Sequence, residues 1–142
     1  VAAERVGTRG RVIALDVLGM ASLNGVTFIR GDFHDAAAVA ELERMLGGQK
    51  VDLVLSDMAP NISGVPASDQ ARALELAELA LDFALKHLKP KGNFLVKAFQ
   101  GAGFESFLKT LRSRFAAVAV RKPDASRSRS SEVYLVGKGL RA

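Results

Sequence analysis

The stretch VDLVLSDMAPN, residues 51–61, joins a strand pattern to a rigid polar turn. Residues 51–55 are mostly β-branched or aliphatic, which predicts a buried strand. Asp57 follows this strand, and Pro60 limits both its own φ and the conformation of the residue before it. The stretch therefore predicts a carboxylate held at the end of a strand.

Elements of alternating type lie on both sides of this stretch. The apolar runs that predict strands are residues 11–15, 26–29, 51–55, 93–96, 118–120 and 133–136. Apolar residues at spacings of three and four predict three helices, which follow the second, third and fourth strands. Strands that alternate with helices are typical of a parallel sheet covered by helices.

The predicted helices have recognisable ends. Asp35 is an N-cap candidate for the first helix, and Gly47 is expected to end it. Pro90 and Gly92 are expected to end the second helix. The third helix has an apolar face formed by Phe104, Phe107, Leu108 and Leu111.

The last two strands break the alternation of strand and helix. Residues 116–121 and 132–136 are joined by a polar loop without a helical pattern, so they pair more easily as antiparallel neighbours than through a crossover. We predict an α/β fold with a mostly parallel sheet that ends in an antiparallel hairpin. Ligands of such sheets bind at the carboxyl ends of the strands.

Composition narrows the class of protein. The chain has 142 residues, 49% hydrophobic and 25% charged, which predicts a single globular domain over residues 1–142. Its apolar runs are shorter than the roughly 20 residues of a membrane-spanning helix. The absence of cysteine excludes disulfides, thiolate metal sites and a catalytic thiol, and favours a reducing, cytoplasmic location.

Positive charge is concentrated in the last quarter of the chain. From Lys109 onward nine Lys or Arg residues face two acids, whereas the whole chain has a net charge of +5. A basic segment beside a nearly neutral body suggests an anionic partner such as nucleic acid. The alternative is a tail that only keeps the protein in solution.

Four polar residues stand at or just beyond the ends of predicted strands: Asp16, Asp32, Asp57 and Lys97. A single aspartate at such a place is more often a helix cap or a solvated charge, but four together predict a ligand site at one sheet edge. Asp16 alone resembles the acid that holds ribose hydroxyls in nucleoside-binding folds. Phe33, beside Asp32, either flanks an adenine or packs in the core.

Lys97 and a basic loop carry the chemistry. Desolvation of a lysine after the apolar residues 94–96 favours the neutral amine that a general base needs, although a neighbouring Asp57 would oppose this. The alternative is a lysine that extends to solvent. The cations Arg121, Lys122, Arg127 and Arg129 suit RNA phosphates, or are merely a solvated hairpin loop.

Several blocks of the sequence resemble one family. The blocks are residues 10–16 (GRVIALD), 31–33 (GDF), 56–61 (SDMAPN), 96–101 (VKAFQG) and 121–134 (RKPDASRSRSSEVY). In this order they are similar to the signature segments of FtsJ/RrmJ-type ribosomal RNA large-subunit 2′-O-ribose methyltransferases. The resemblance covers essentially the whole chain.

The resemblance implies a Rossmann-like fold and an enzyme that uses S-adenosylmethionine to methylate a uridine ribose in large-subunit, 23S-type ribosomal RNA. Three members of the family's Lys-Asp-Lys-Glu tetrad fall on Asp57, Lys97 and Glu132. Lys97 would be the base, Asp57 would orient it, and Glu132 would hold the other side of the site. Cofactor contacts fall on Asp16, Asp32, Phe33 and Asp57, and the implied partner is ribosomal RNA or the large ribosomal subunit, with no metal and no membrane.

The family also carries a catalytic lysine and a strand with a glycine-rich loop before the segment that starts here. That strand is central in the family's sheet and lies between the strand that ends at Asp16 and the one that precedes Asp57. We therefore expect a partial methyltransferase domain that lacks its first strand and is inactive alone.

Two other classes of function compete with this interpretation. A non-catalytic RNA-binding or ribosome-assembly module would keep the basic loop but has no use for Lys97 at a strand end. Half of a nicotinamide dehydrogenase is supported by Asp16 alone and is disfavoured by the antiparallel hairpin.

Overall fold

The computed structural model describes residues 4–5, 10–16, 26–58, 60, 63–122 and 131–142. The chain comprises two compact units, Val1–Gln49 and Lys50–Ala142. Each unit contains its own sheet.

The described residues of the first unit include two paired strands and the helix that follows them. Strands β1 (Val12–Asp16) and β2 (Val26–Arg30) are parallel, and helix α1 (Ala36–Leu46) follows them. The carboxylate of Asp35 accepts a hydrogen bond from the Ala37 amide at 2.9 Å, and Gly47 adopts the left-handed conformation with φ 59°. The predicted beginning and end of this helix are confirmed. The buried apolar residues of the unit are Ile29, Ala38, Leu42 and Leu46.

In the second unit the described residues form a four-stranded mixed sheet and two helices. In chain order its elements are β3 (Val51–Ser56), α2 (Pro66–His87), β4 (Leu88–Phe99), α3 (Phe104–Arg114), β5 (Phe115–Arg121) and β6 (Glu132–Leu140). The spatial order is β3-β4-β6-β5, with β3 parallel to β4 and β6 antiparallel to both of its neighbours. The predicted antiparallel hairpin is confirmed.

Strand β4 starts earlier than the sequence predicted. Helix α2 ends at His87 and the strand begins at Leu88, so Pro90 and Gly92 lie inside the strand rather than ending the helix. The parallel register jumps from Val51 opposite Leu88 to Leu53 opposite Asn93, so the four residues 89–92 form an irregularity. Proline lacks an amide donor, and an irregularity is where a strand tolerates it. The regular ladder begins at Asn93, where the sequence placed the strand.

Buried and less buried residues alternate along the regular parts of β4 and β6, so one face of these strands packs in the core. Phe94, Val96 and Ala98 of β4 are buried with Val133 and Leu135 of β6. The same core includes these residues of α2 and α3: Ala77, Ala80, Leu81, Ala84, Phe104, Phe107, Leu108 and Leu111. Because successive strand residues point to opposite faces, the intervening positions of both strands face away from this core.

Among the described residues four strands keep an edge without a ladder partner: β1 and β2 in the first sheet, and β3 and β5 in the second. Strand β1 is paired with β2, and strand β3 is paired with β4. On β3, Leu53 is 50% exposed and Leu55 is 56% exposed.

Candidate active site

The second unit brings Asp57 and Lys97 together in an ion pair. Ser56 of β3 lies opposite Val96 of β4, so the next residue of each strand leaves the parallel ladder side by side. Lys97 Nζ lies 3.1 Å from Asp57 Oδ1. The lysine side chain is only 14% exposed, whereas that of the aspartate is 69% exposed. The arrangement presents a largely buried amine on the sheet face opposite the core and a carboxylate open to solvent.

Tyr134 is a third member of this cluster. It lies opposite Lys97 in the antiparallel β4/β6 ladder. Its hydroxyl donates a hydrogen bond of 2.8 Å to Asp57 Oδ1, the oxygen that also contacts Lys97. This hydrogen bond, followed by burial and by the negative charges of Asp57 and Glu132, raises the pKa of Tyr134 to about 12. The phenol is therefore a hydrogen-bond donor at neutral pH.

Glu132 lies on the same sheet face as this cluster. It begins β6 two residues before Tyr134 and pairs with Phe99, two residues after Lys97. Residues two apart in a strand share a face, so Glu132 is one step from the cluster along β6. Its backbone carbonyl accepts a 3.4 Å hydrogen bond from Lys122 Nζ.

Asp32 lies in the first unit, in the turn after β2. Its Oδ1 accepts hydrogen bonds from the His34 amide at 2.9 Å and lies 3.0 Å from His34 Nδ1. The backbone hydrogen bond, followed by the ring contact, holds the pKa of Asp32 below its ordinary value. Asp32 is thus an exposed, ionised carboxylate. Its neighbour Phe33 is half-buried.

The backbone of Asp16 ends β1 and lies opposite Arg30, the last residue of β2. Asp32 follows Arg30 by two residues, so each strand of the first unit has a predicted acid at its end or just beyond it. The side chain of Asp16 lies outside the described part of the chain.

Of the four predicted RNA-binding cations, two lie in the described part of the chain. Arg121 ends β5 opposite Tyr134 and is exposed, and Lys122 follows it and is half-buried. Arg127 and Arg129 lie outside the described residues. Sheet order places Arg121 two strands from Lys97, a backbone separation of about 10 Å.

The described residues form neither a metal centre nor a membrane-spanning helix. No group of three or more His, Asp or Glu side chains is arranged there to hold a metal ion. No helix in this part of the chain combines the length and the hydropathy that a membrane span requires.

Comparison with known proteins decides the family. The model of the FtsJ-like methyltransferase family matches residues 1–140, which includes both units. The chain belongs to this family. Its Rossmann-like methyltransferase fold agrees with a solved Plasmodium falciparum protein described as a ribosomal RNA methyltransferase, with a TM-score of 0.77 and 26% identity. That match covers 92% of this chain and 72% of the other.

Bacterial relatives are more similar in sequence. A protein of Azoarcus sp. named ribosomal RNA large subunit methyltransferase E is 61% identical over 99% of this chain and 69% of its own length. A protein of Dechloromonas aromatica with the same name is 58% identical, with the same coverage. Identity of this extent over nearly the whole chain places it in the same family as these proteins.

Proposed function

We propose that this chain belongs to an enzyme that transfers a methyl group from S-adenosylmethionine to the 2′-oxygen of a uridine in large-subunit ribosomal RNA. The Asp57–Lys97 ion pair carries the proposal, because it sets an amine at the carboxyl end of a parallel strand, where ligands of such sheets bind. The names of the Azoarcus and Dechloromonas relatives support the class of substrate.

The chain's acids suit a cationic nucleoside cofactor. Asp32 is an exposed, ionised acceptor that fits the amine of an adenine, and half-buried Phe33 offers a ring beside it. Asp16 is assigned to the ribose hydroxyls, and Asp57 provides negative charge for a sulfonium. When bound, S-adenosylmethionine supplies the methyl group.

Lys97 acts as the general base in this proposal. In the proposed reaction the 2′-oxygen takes the methyl group that S-adenosylmethionine would supply, and Lys97 accepts the proton that the hydroxyl loses. Asp57 holds the resulting ammonium at 3.1 Å and fixes its direction. Glu132 stands on the same sheet face and bounds the site on the β6 side.

In this proposal the cations of the β5/β6 connection bind the RNA backbone. Arg121, Lys122, Arg127 and Arg129 are assigned to phosphates, which bind guanidinium and ammonium groups without reading the base. Exposed Arg121 ends a strand two places from Lys97, a distance that suits contact with a neighbouring phosphate.

Lys97→Ala tests the base. Labelled methyl transfer to ribosomal RNA is measured with this chain and with the longer Azoarcus relative, each carrying the substitution at the corresponding position. We expect the rate to fall more than tenfold, a barrier increase above about 1.4 kcal/mol, with cofactor affinity nearly unchanged. A variant that keeps more than a tenth of the rate would show that Lys97 is not the base.

Lys89 provides the matched control. It forms a Lys–Asp ion pair with Asp52, 3.2 Å long, at the opposite end of the same two strands. Lys89→Ala should leave the rate within about twofold, as expected for an exposed pair. If the unsubstituted proteins bind RNA and none of them transfers methyl groups, the result would instead favour a non-catalytic RNA-binding module.

A further inference from the structure

The chain's only tyrosine contacts the acid of the proposed catalytic pair. Tyr134 donates to the same Asp57 oxygen that Lys97 contacts, and it lies opposite Lys97 in the β4/β6 ladder. We propose that Tyr134 is a positioning residue that holds the Asp57 carboxylate against Lys97. The contact rests on geometry alone, whereas its effect on catalysis rests on the proposed function.

Asp57 needs such a support because of its position. Ser56 is the last residue of β3 in the ladder, and the Asp57 side chain beyond it is 69% exposed. An exposed ion pair is weak, because water screens it and both side chains lose conformational freedom in forming it. The pair alone is therefore a poor means of fixing a carboxylate.

Tyr134 is well placed to supply the missing rigidity. Its strand, β6, lies between β4 and β5, and Tyr134 is opposite Lys97 on one side and opposite Arg121 on the other. A backbone held in two ladders, with a side chain of two torsions, delivers the hydroxyl to a fixed point. Two donors on one carboxylate oxygen then determine where Asp57 sits.

The surrounding charges fix the direction of the hydrogen bond. The groups that face the phenol are Asp57 after β3, Lys97 on β4, Glu132 on β6 and Arg121 on β5. The hydrogen bond to Asp57 and the negative charges of Asp57 and Glu132 raise the pKa of Tyr134, so the phenol stays protonated and donates.

Tyrosinate absorbance tests the contact without any activity. The chain has one tyrosine and no tryptophan, so the near-ultraviolet signal reports Tyr134 alone. At about pH 10, where an ordinary tyrosine is half ionised, the unsubstituted chain should be less than a tenth ionised. Asp57→Asn should raise the ionised fraction clearly, although not to half, because burial and Glu132 still raise the pKa of Tyr134. Asp52→Asn, in the Lys89–Asp52 pair, should leave the fraction unchanged. Circular dichroism at the same pH checks that each variant is folded.

Tyr134→Phe tests the catalytic consequence, because it keeps the ring and removes only the donor. In whichever of this chain and the Azoarcus relative methylates RNA, we expect kcat to fall about tenfold, with KM for RNA and for S-adenosylmethionine within about twofold. Thr110→Val, which removes a hydroxyl bonded to the Ser106 carbonyl on α3, is the control and should leave both constants unchanged.

The outcomes separate the two proposals. An unsubstituted chain that is half ionised at about pH 10, or an Asp57→Asn variant that leaves the titration unmoved, overturns the positioning contact. Full kcat in Tyr134→Phe, in an enzyme that methylates RNA, overturns the catalytic consequence. If no unsubstituted protein transfers methyl groups, the proposed function fails while a shifted titration still establishes the contact.

Discussion

At the scale of single residues, Asp69 organises the turn that leads into α2. Its Oδ1 accepts hydrogen bonds from the Ser63 amide at 2.9 Å and from the Ser63 hydroxyl at 2.6 Å, and its Oδ2 accepts one from the Gly64 amide at 3.3 Å. These bonds, the hydroxyl first, hold the pKa of Asp69 below its ordinary value of 3.8. One half-buried carboxylate thus fixes residues 63–64 just before the helix.

This turn should make stability depend on pH. A carboxylate with a lowered folded pKa stabilises the folded state above its unfolded pKa of about 4, and the stabilisation is lost as pH falls through the folded value. Asp69→Asn should lower Tm at neutral pH and lose this difference in acid, and Ser63→Ala should weaken the same dependence. Thermal melts at several pH values measure this, and a Tm difference that is equal at all pH values would contradict it.

At the level of residues, the sequence predicted which side chains meet where the meeting follows from a position along one strand. Asp57 and Lys97 were predicted as polar residues that follow apolar runs, and the parallel register then sets them side by side. The contact of Tyr134 with Asp57 was missed, because the two residues lie 77 positions apart and the contact depends on the β4/β6 register. Its spacing of two from Glu132 was the only signal, since it implies a shared face.

At the scale of elements, the sequence predicted whether a segment is a helix or a strand better than it predicted the first and last residues of the segment. Proline and glycine at positions 90 and 92 were interpreted as the end of α2, but the helix ends at His87 and both residues lie in the irregular start of β4. Local signals cannot distinguish a loop after a helix from a bulged strand, because the difference depends on pairing with β3. The regular part of β4 was placed correctly because its apolar run is local.

Packing between strands gives an element-scale prediction at Gly137. This residue of β6 lies opposite Phe94 of β4, and a Cβ added to it would meet the ring of Phe115 at 2.9 Å. Phe94 and Phe115 are both buried, with ring centroids 6.1 Å apart. Gly137→Ala should therefore lower the free energy of unfolding by about 1–3 kcal/mol.

Urea unfolding with a double-mutant cycle tests the cause of this loss. In a Phe115→Leu background, where the ring is gone, Gly137→Ala should cost clearly less. An equal cost in both backgrounds would assign the loss to the strand backbone instead of the ring.

At the scale of the whole molecule, positive charge predicts how RNA binding responds to salt. Replacing Arg127 and Arg129 by alanine should weaken binding about evenly across RNA sequences. The slope of log affinity against log salt should become shallower by about 1.4, because each phosphate contact on single strands contributes about 0.7. Replacing the exposed Lys109 and Arg112 of α3 is the matched control of two charges and should change the slope less. Equal slopes in both double variants would show that the loop cations are only solvated.

The unpaired edge of β3 bears on how the chain behaves at high concentration. Among the described residues this edge lacks a ladder partner, and Leu53 and Leu55 are about half exposed. An apolar strand edge is a template for adding a strand from another molecule, whereas charge on such an edge prevents this. We expect light scattering to rise with concentration and Leu53→Lys with Leu55→Lys to reduce it. The solubility of the chain at high concentration would then depend on one strand edge. Adding charge to that edge would be the most direct way to obtain samples for crystallisation or spectroscopy.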